Sequence, residues 1–359
     1  MTSRLFHNQH SSRRRGSAER CALERALVRS VRSTFVLIPE QANIGGMAAD
    51  RKRSFSELAR LAGKQHGLMT HEQATSAGLS RAALSRLVRR GVWQRVRPRV
   101  FRRAAASQTD EQAVLAVCLW AGEGAVASHR SAAQLLGVDL GKGAIDVTTP
   151  PGISRKLPGV VFHRSKALEE VDLRLIRGIP ATTGSRTIID LASTLDDEAL
   201  AIAVEEAWRK EIAAPDWVAR RLKELGLQGR QTGALAEILA DCRGRKAPLE
   251  SALEVRFWRL LKRAQLPLPT PAYEFRDDFG QPFHVDFAYP QHHLAIECDG
   301  YATHGTREAF ENDRLRAGRL VAMGWRVMPV TWSQLDLLGG ADVVKRLRLA
   351  LRYRGQSIG

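Results

Sequence analysis

Residues 284–305 read HVDFAYPQHHLAIECDGYATHG, and this stretch decides the fold of the C-terminal part of the chain. FHVDFAYP and LAIEC are β-rich apolar runs joined by the polar turn PQHH, the pattern of two neighbouring strands. Asp286, Glu297 and Asp299 fall on these core strands, and His304 follows a few residues later. Unpartnered carboxylates are expensive to bury, so their placement points to a site. Glu297 and Asp299 lie two apart and share one face of a regular strand.

The flanking elements complete a unit. LESALEVRFWRLLKRAQL (249–266) carries Leu253, Phe257, Leu260 and Leu261 on one helical stripe. A strand at 272–276 is turned by DDFGQ into FHVDFAYP. After LAIEC the loop DGYATHGTR leads to the helix EAFENDRLRAGRLVAM, which Gly324 ends. WRVMPVTW is a fourth strand and ADVVKRLRLALRYR a terminal helix, giving α-β-β-β-α-β over 249–359.

That order, with Asp on the second strand and Glu on the third, resembles the PD-(D/E)XK nuclease superfamily. HVDFAYPQHHLAIECDGYATH, followed by FENDRLRAGRLVAMGWRVMPVTW, is similar to its very-short-patch repair endonuclease-like branch. Within that branch it is most similar to the domain of unknown function 559 family, over 249–335. The resemblance implies a restriction-endonuclease-like core that hydrolyses phosphodiesters with Mg²⁺ (or Mn²⁺). Asp286 and Glu297 would bind the metal, Asp299 and Glu254 would support it, and His304 falls on a catalytic His position. Glu250, one turn before Glu254, is the second choice. Asp313, Arg314 and the GWRV strand match the branch's next helix and strand. The usual E-x-K is E-C-D here, so Asp299 stands where the superfamily keeps a Lys.

Charge marks the other end of the chain. Residues 1–103 hold 22 Lys and Arg against 6 Asp and Glu, whereas the remainder is nearly balanced at 33 against 32. A cationic excess gathered in one segment is the footprint of phosphate binding. Within it, Ser54 or Ser56 can cap a first helix carrying Leu58 and Leu61, and Gly67 breaks that helix. Thr70 caps THEQATSAG, and Ser80 caps SRAALSRLVRR, whose Leu84, Leu87 and Val88 face inward. VWQRVRPRVFR alternates like a β-hairpin. Three short helices and a basic hairpin predict a winged helix-turn-helix over 51–105, with the third helix offered to the major groove. Its DNA contacts would come from Arg81, Ser85, Arg86, Arg89, Arg90, Arg95 and Arg97. GLMTHEQATSAGLSRAALSRLVRRGVWQRVRPRVF also resembles the DNA-binding domain of AbiEi-type antitoxins, which implies promoter DNA and a cognate toxin as partners.

Residues 1–50 are a basic extension rich in Arg and Ser, expected to be disordered and without a signal-peptide pattern. Translation from Met47 instead of Met1 fits the same pattern. Residues 106–245 alternate helices and strands into a mixed α/β region. There ASHRSAAQLLG and GIPATTGSRTIIDLA resemble the region that follows the winged helix in AbiEi-like proteins. His129, His163 and Asp190 have no ligand or triad spacing and read as structural polar groups. CRGRKAP (242–248) reads as a linker. The four cysteines lack C-x-x-C spacing and read as free thiols of a reducing cytosol. No apolar run approaches the roughly 18 residues of a membrane span.

The expected fold class is therefore an α+β and α/β multidomain chain. The function it predicts is a Mg²⁺-dependent DNA endonuclease acting in repair or phage defence. The alternative is a non-catalytic DNA-binding regulator or antitoxin that keeps the nuclease fold as a scaffold. RNA stays open as a substrate, because metal-assisted hydrolysis does not distinguish the sugar.

Overall fold

The computed structural model describes residues 47–151, 156–165, 168–226, 232–276, 280–299 and 307–352, with the side chains of 47–55 and 307–314 left aside. The extension 1–46, Cys21, His304 and the 300–306 loop lie outside the described residues, as do the side chains of Asp313 and Arg314. Among the described residues the protein is mixed α/β, with three sheets. It divides into two compact units: unit 1 comprises 1–194 and 212–233, and unit 2 comprises 195–211 and 234–359.

Unit 1 begins with α1 (Met47–Lys64), β1 (Leu68–Thr70), α2 (His71–Ser76), α3 (Arg81–Arg89), β2 (Trp93–Arg97) and β3 (Val100–Arg103). Helix α1 starts before the expected caps, so Ser54 and Ser56 lie inside it. Thr70 does cap α2, through a reciprocal box: its hydroxyl accepts from Gln73 N and the Gln73 side chain accepts from Thr70 N. Ser80 caps α3 by accepting from Ala83 N at 3.2 Å. The short strand β1, absent from the sequence reading, pairs antiparallel with β3, giving a three-stranded sheet of order β1-β3-β2. Gly67, with φ +80°, makes the turn into β1, and a Cβ there would overlap the Ala106 methyl.

The same unit continues with α4 (Asp110–Ala121), β4 (Val126–Ala127), α5 (His129–Leu136), β5 (Ile145–Thr149), β6 (Val160–Arg164), β7 (Leu173–Ile176), β8 (Ile179–Thr182), α6 (Gly184–Leu191) and α8 (Pro215–Glu224). Its second sheet has the order β6-β5-β4-β8-β7. The expected boundary at 105/106 runs through a continuous core. Leu68 and Val100 of the first module share one cluster with Val114, Val117, Val147 and Ile179. Gln112 also donates from its side chain to the His66 carbonyl.

Unit 2 opens with α7 (Asp197–Arg209) and α9 (Thr232–Arg243). Then come α10 (Ala252–Arg263), β9 (Thr270–Arg276), β10 (Pro282–Tyr289), β11 (Leu294–Asp299), α11 (Arg307–Ala322), β12 (Arg326–Thr331), α12 (Trp332–Asp336) and α13 (Ala341–Arg352). The α-β-β-β-α-β order read from the sequence is present. The sheet runs β12-β11-β10-β9, with β11 and β12 parallel and the other pairs antiparallel. Phe287 packs on Phe257 and Trp258 of α10, at ring distances of 5.4 and 6.0 Å. Phe283, Val285, Ala295, Leu320 and Trp325 form a separate cluster.

The basic stretch 242–248 is not a free linker. Arg245 is buried, ion-paired with Glu205 of α7, and lies over the rings of Trp208 and Trp258 at 5.5 and 5.4 Å. Glu205 also accepts from Leu249 N at 3.0 Å. A guanidinium reads as a solvated charge from composition alone, but aromatic faces and a carboxylate make its burial favourable.

Candidate functional site

Two groups of side chains carry chemistry, one in each unit. In unit 1, Leu84 turns α3 toward a cluster with Leu58, Met69, Trp93 and Phe101. Anchored this way, the helix leaves Arg81, Ser85, Arg86, Arg89 and Arg90 exposed. Among the described residues none of these four arginine side chains has a hydrogen-bond or ion-pair partner. On the hairpin, Arg95 is exposed and lies 5.8 Å from the Phe101 ring. Arg97 behaves differently. It is half-buried and donates to the adjacent Val96 carbonyl at 2.8 Å. Arg102 is buried and donates to Gln94 at 2.6 Å. The turn brings up Arg99, exposed and 3.5 Å from Glu72, which the sequence reading did not select.

In unit 2, the four expected acids that are described lie close enough to Cys298 for their charges to act on its thiol. Burial pushes the Cys298 thiol well above its usual value, and the charges of Asp286, Glu254, Glu297 and Asp299 push it further. Asp286 Oδ2 accepts from Cys298 N at 2.6 Å. Burial raises the Asp286 pKa, opposed by that hydrogen bond and by the charges of Arg316 and His284. Glu254 is buried in the first turn of α10, where it accepts from Glu250 N at 2.9 Å, while its own N–H is capped by Ser251. Burial lifts Glu254 to about 7, and the Asp286 charge adds to the rise.

The sequence offers pairing of these acids with Arg314 or Arg316 only as the less favoured reading, yet Arg316 of α11 enters this cluster. It lies 3.1 Å from Glu297 and donates to the His284 carbonyl. A protein cation therefore meets the acid that the nuclease resemblance assigns to a metal. Asp299 is exposed at the end of β11. Among the described residues no group of three or more His, Cys, Asp or Glu is placed to hold a metal ion.

The middle-region residues have structural partners. His163 Nε2 lies 2.6 Å from Asp146 Oδ1, and its ring stacks on His129 with centroids 3.5 Å apart. Ser128 is the N-cap residue of α5 but makes no cap hydrogen bond; its hydroxyl meets Thr148 Oγ1 and His129 Nδ1 instead. Asp190 accepts from Arg186 Nε at 2.8 Å. Arg186 and Arg221 both donate to the fully buried Asp172. Cys118 and Cys242 are buried free thiols. No described helix is long and apolar enough to cross a membrane.

Two proteins of Mycobacterium tuberculosis, Uncharacterized protein MT2308 of strain CDC 1551 and Uncharacterized protein Rv2248 of strain H37Rv, are each 27% identical over 230 residues. The aligned part is 63% of this chain and 82% of each relative. The crystal structure of RV2827C protein from the same species matches 62% of this chain and 88% of its own at 19% identity. Its TM-score of 0.35 is too low to assign a fold. Residues 56–104, the module that exposes the α3 arginines, match the family model described as transcriptional regulator, AbiEi antitoxin.

Proposed function

We propose that the protein is a DNA-binding transcriptional regulator of the antitoxin type. In this reading residues 51–105 act as a winged helix-turn-helix on double-stranded DNA. The observation that supports it most is the exposed arginine row Arg81, Arg86, Arg89 and Arg90 on α3, a helix fixed from behind by Leu84. Arginine forks grip phosphates and guanine edges bidentately, and this row has no internal acid to satisfy it among the described residues. Arg95 and Arg99 on the hairpin extend the cationic surface, while Arg97, turned back on its own strand, contributes less. A cognate toxin is the protein partner that such a regulator would serve. Gel-shift titration with DNA from upstream of its own gene tests the proposal. Binding in the low-nanomolar to micromolar range is expected, and the triple substitution Arg81→Ala, Arg86→Ala, Arg89→Ala should abolish it. Equal affinity of the triple variant sinks the assignment.

A second reading, metal-dependent phosphodiester hydrolysis in unit 2, is favoured by the placement of the Asp286 carboxylate against β11, where it reaches Cys298 N between Glu297 and Asp299. A set of hard carboxylate oxygens suits Mg²⁺ or Mn²⁺. Asp286 and Glu297 would hold the ion, with Arg316 competing for Glu297. A bound ion would stabilise phosphorane charge and acidify water. Glu254, with its pKa near 7, is poised to exchange a proton at neutral pH. Plasmid nicking in Mg²⁺ or Mn²⁺, compared with Asp286→Asn, separates this reading from a scaffold role.

A further inference from the structure

Helices α7, α9 and α10 enclose a cleft of about 240 Å³ within unit 2, on residues that neither the DNA-contact surface nor the carboxylate cluster uses. This is below the roughly 300–1,000 Å³ of pockets for drug-sized ligands, so it suits a small occupant. Ala201, Ile238, Val255 and Trp258 give it an apolar lining. Its charges are three acids and three bases, and Glu205, Asp241 and Lys262 are already matched inside the protein. Glu205 is taken by Arg245 and by Leu249 N. Asp241 accepts from Trp258 Nε1 at 2.7 Å and from Lys262 Nζ at 2.8 Å. What is left over is cationic. Arg259 lines the cleft with its Nε shielded from solvent and no protein acceptor in reach among the described residues. Arg263, one turn on along α10, adds a second guanidinium at the exposed rim. Glu237, also exposed, is the one acid left on the opposite side.

We propose that this cleft binds a small organic anion, its charge on the Arg259 guanidinium and its apolar body on the Trp258 side of the cleft. No protein acceptor among the described residues engages the Arg259 guanidinium, so a carboxylate or phosphate monoester in the cleft can take its outer N–H groups with charge-assisted hydrogen bonds. The two guanidinium groups left over, Arg259 and Arg263, outweigh Glu237 and select against neutral and cationic ligands of the same shape. The site stands independently of the DNA-binding reading, since every residue in it belongs to unit 2.

Isothermal titration of the full chain with benzoate and with phenyl phosphate tests this, with benzyl alcohol as the neutral counterpart. Both anions are expected to bind and the alcohol is not. Arg259→Gln should weaken benzoate by about tenfold or more, the size of one lost charge-assisted contact. Glu237→Gln should tighten it, because a repelling charge leaves the rim. Ala201→Leu, which fills the cleft without altering charge, should block both anions. Ligand-free thermal midpoints of the variants verify that each folds. Benzyl alcohol binding as well as benzoate, unchanged affinity in Arg259→Gln, or no heat from either anion at about 10 mM would overturn the assignment.

Discussion

Asp286 on β10 accepts a hydrogen bond from the main-chain N–H of Cys298 on β11 at 2.6 Å, just beyond the last ladder pair, Phe287 with Ile296. A side-chain carboxylate thus stands in for a main-chain carbonyl at the point where the ladder ends. The role explains why a charged residue sits on a core strand: an interior N–H must be satisfied by some acceptor. It also gives Asp286 a structural duty separate from any chemistry.

The two duties can be separated by substitution. Asp286→Ala removes the acceptor and should lower the stability of unit 2 by about 1–3 kcal/mol in urea unfolding. Asp286→Asn keeps an acceptor oxygen and should lose much less. If unit 2 also hydrolyses phosphodiesters, Asp286→Asn will stay folded and lose nicking. Equal stability of the Ala and Asn variants contradicts the structural role.

Glu254 makes unit 2 sensitive to pH. Burial raises its folded-state pKa to about 7 from an ordinary value of about 4.5. A carboxyl with a raised folded pKa favours the folded state when protonated. Its contribution is therefore full below about pH 4.5 and is lost as pH rises through about 7. Glu254→Gln should flatten this part of the stability profile, which equilibrium unfolding at several pH values will reveal. The effect is on the order of 3 kcal/mol at most.

A divalent ion acts on the same group. If Mg²⁺ or Mn²⁺ binds beside Asp286, it should lower the Glu254 pKa and raise the unfolding midpoint at pH 7.5 in proportion to ln(1 + [ion]/Kd). Asp286→Asn should remove the response. No midpoint shift with either ion, measured by thermal scanning, counts against the second reading whatever the outcome of the nicking assay.

On the DNA side, binding should weaken steeply with salt. Each phosphate contact removed should reduce the slope of log K against log [salt] by about 0.9. Substituting Arg81, Arg86, Arg89 or Arg95 singly by Ala is expected to do this. Arg97→Ala should change the slope least, because that side chain is already turned to the Val96 carbonyl.

In unit 1, Asp172 neutralises two buried guanidinium groups, Arg186 and Arg221. Asp172→Ala leaves both without their shared partner and should destabilise unit 1 by about 3–5 kcal/mol. Chemical unfolding monitored by circular dichroism measures it. A loss under about 1 kcal/mol would mean that the arginines find other acceptors.

Local chemistry made many elements legible in advance. Thr70 and Ser80 cap α2 and α3 because their hydroxyls reach N–H groups three residues on, a relation written entirely in sequence. Ser54, Ser56 and Ser128 have the same chemistry but do not cap. The first two lie inside α1, and Thr148, on a strand far along the chain, engages the hydroxyl of the third. Strand β1 escaped notice because three residues carry no period; pairing with β3 makes it a strand.

The candidate sites divide in the same way. The α3 arginines were readable because an amphipathic helix fixes which positions face out, with Leu84, Leu87 and Val88 on the packed side. The acids on β10 and β11 were readable by type and spacing. Their surroundings were not. Arg316 beside Glu297, Cys298 among four carboxylates, and Arg245 between two tryptophans join residues distant in the chain.

By itself the sequence determined the helical periods, the caps at Thr70 and Ser80, the order of elements along unit 2 and the segregation of positive charge, all consequences of neighbouring residues. Only the tertiary structure decided which charges are buried, which acid meets a guanidinium, and where one hydrophobic core runs across an apparent boundary. Burial and pairing depend on what folds against a residue, and that is set by packing between segments far apart in the chain.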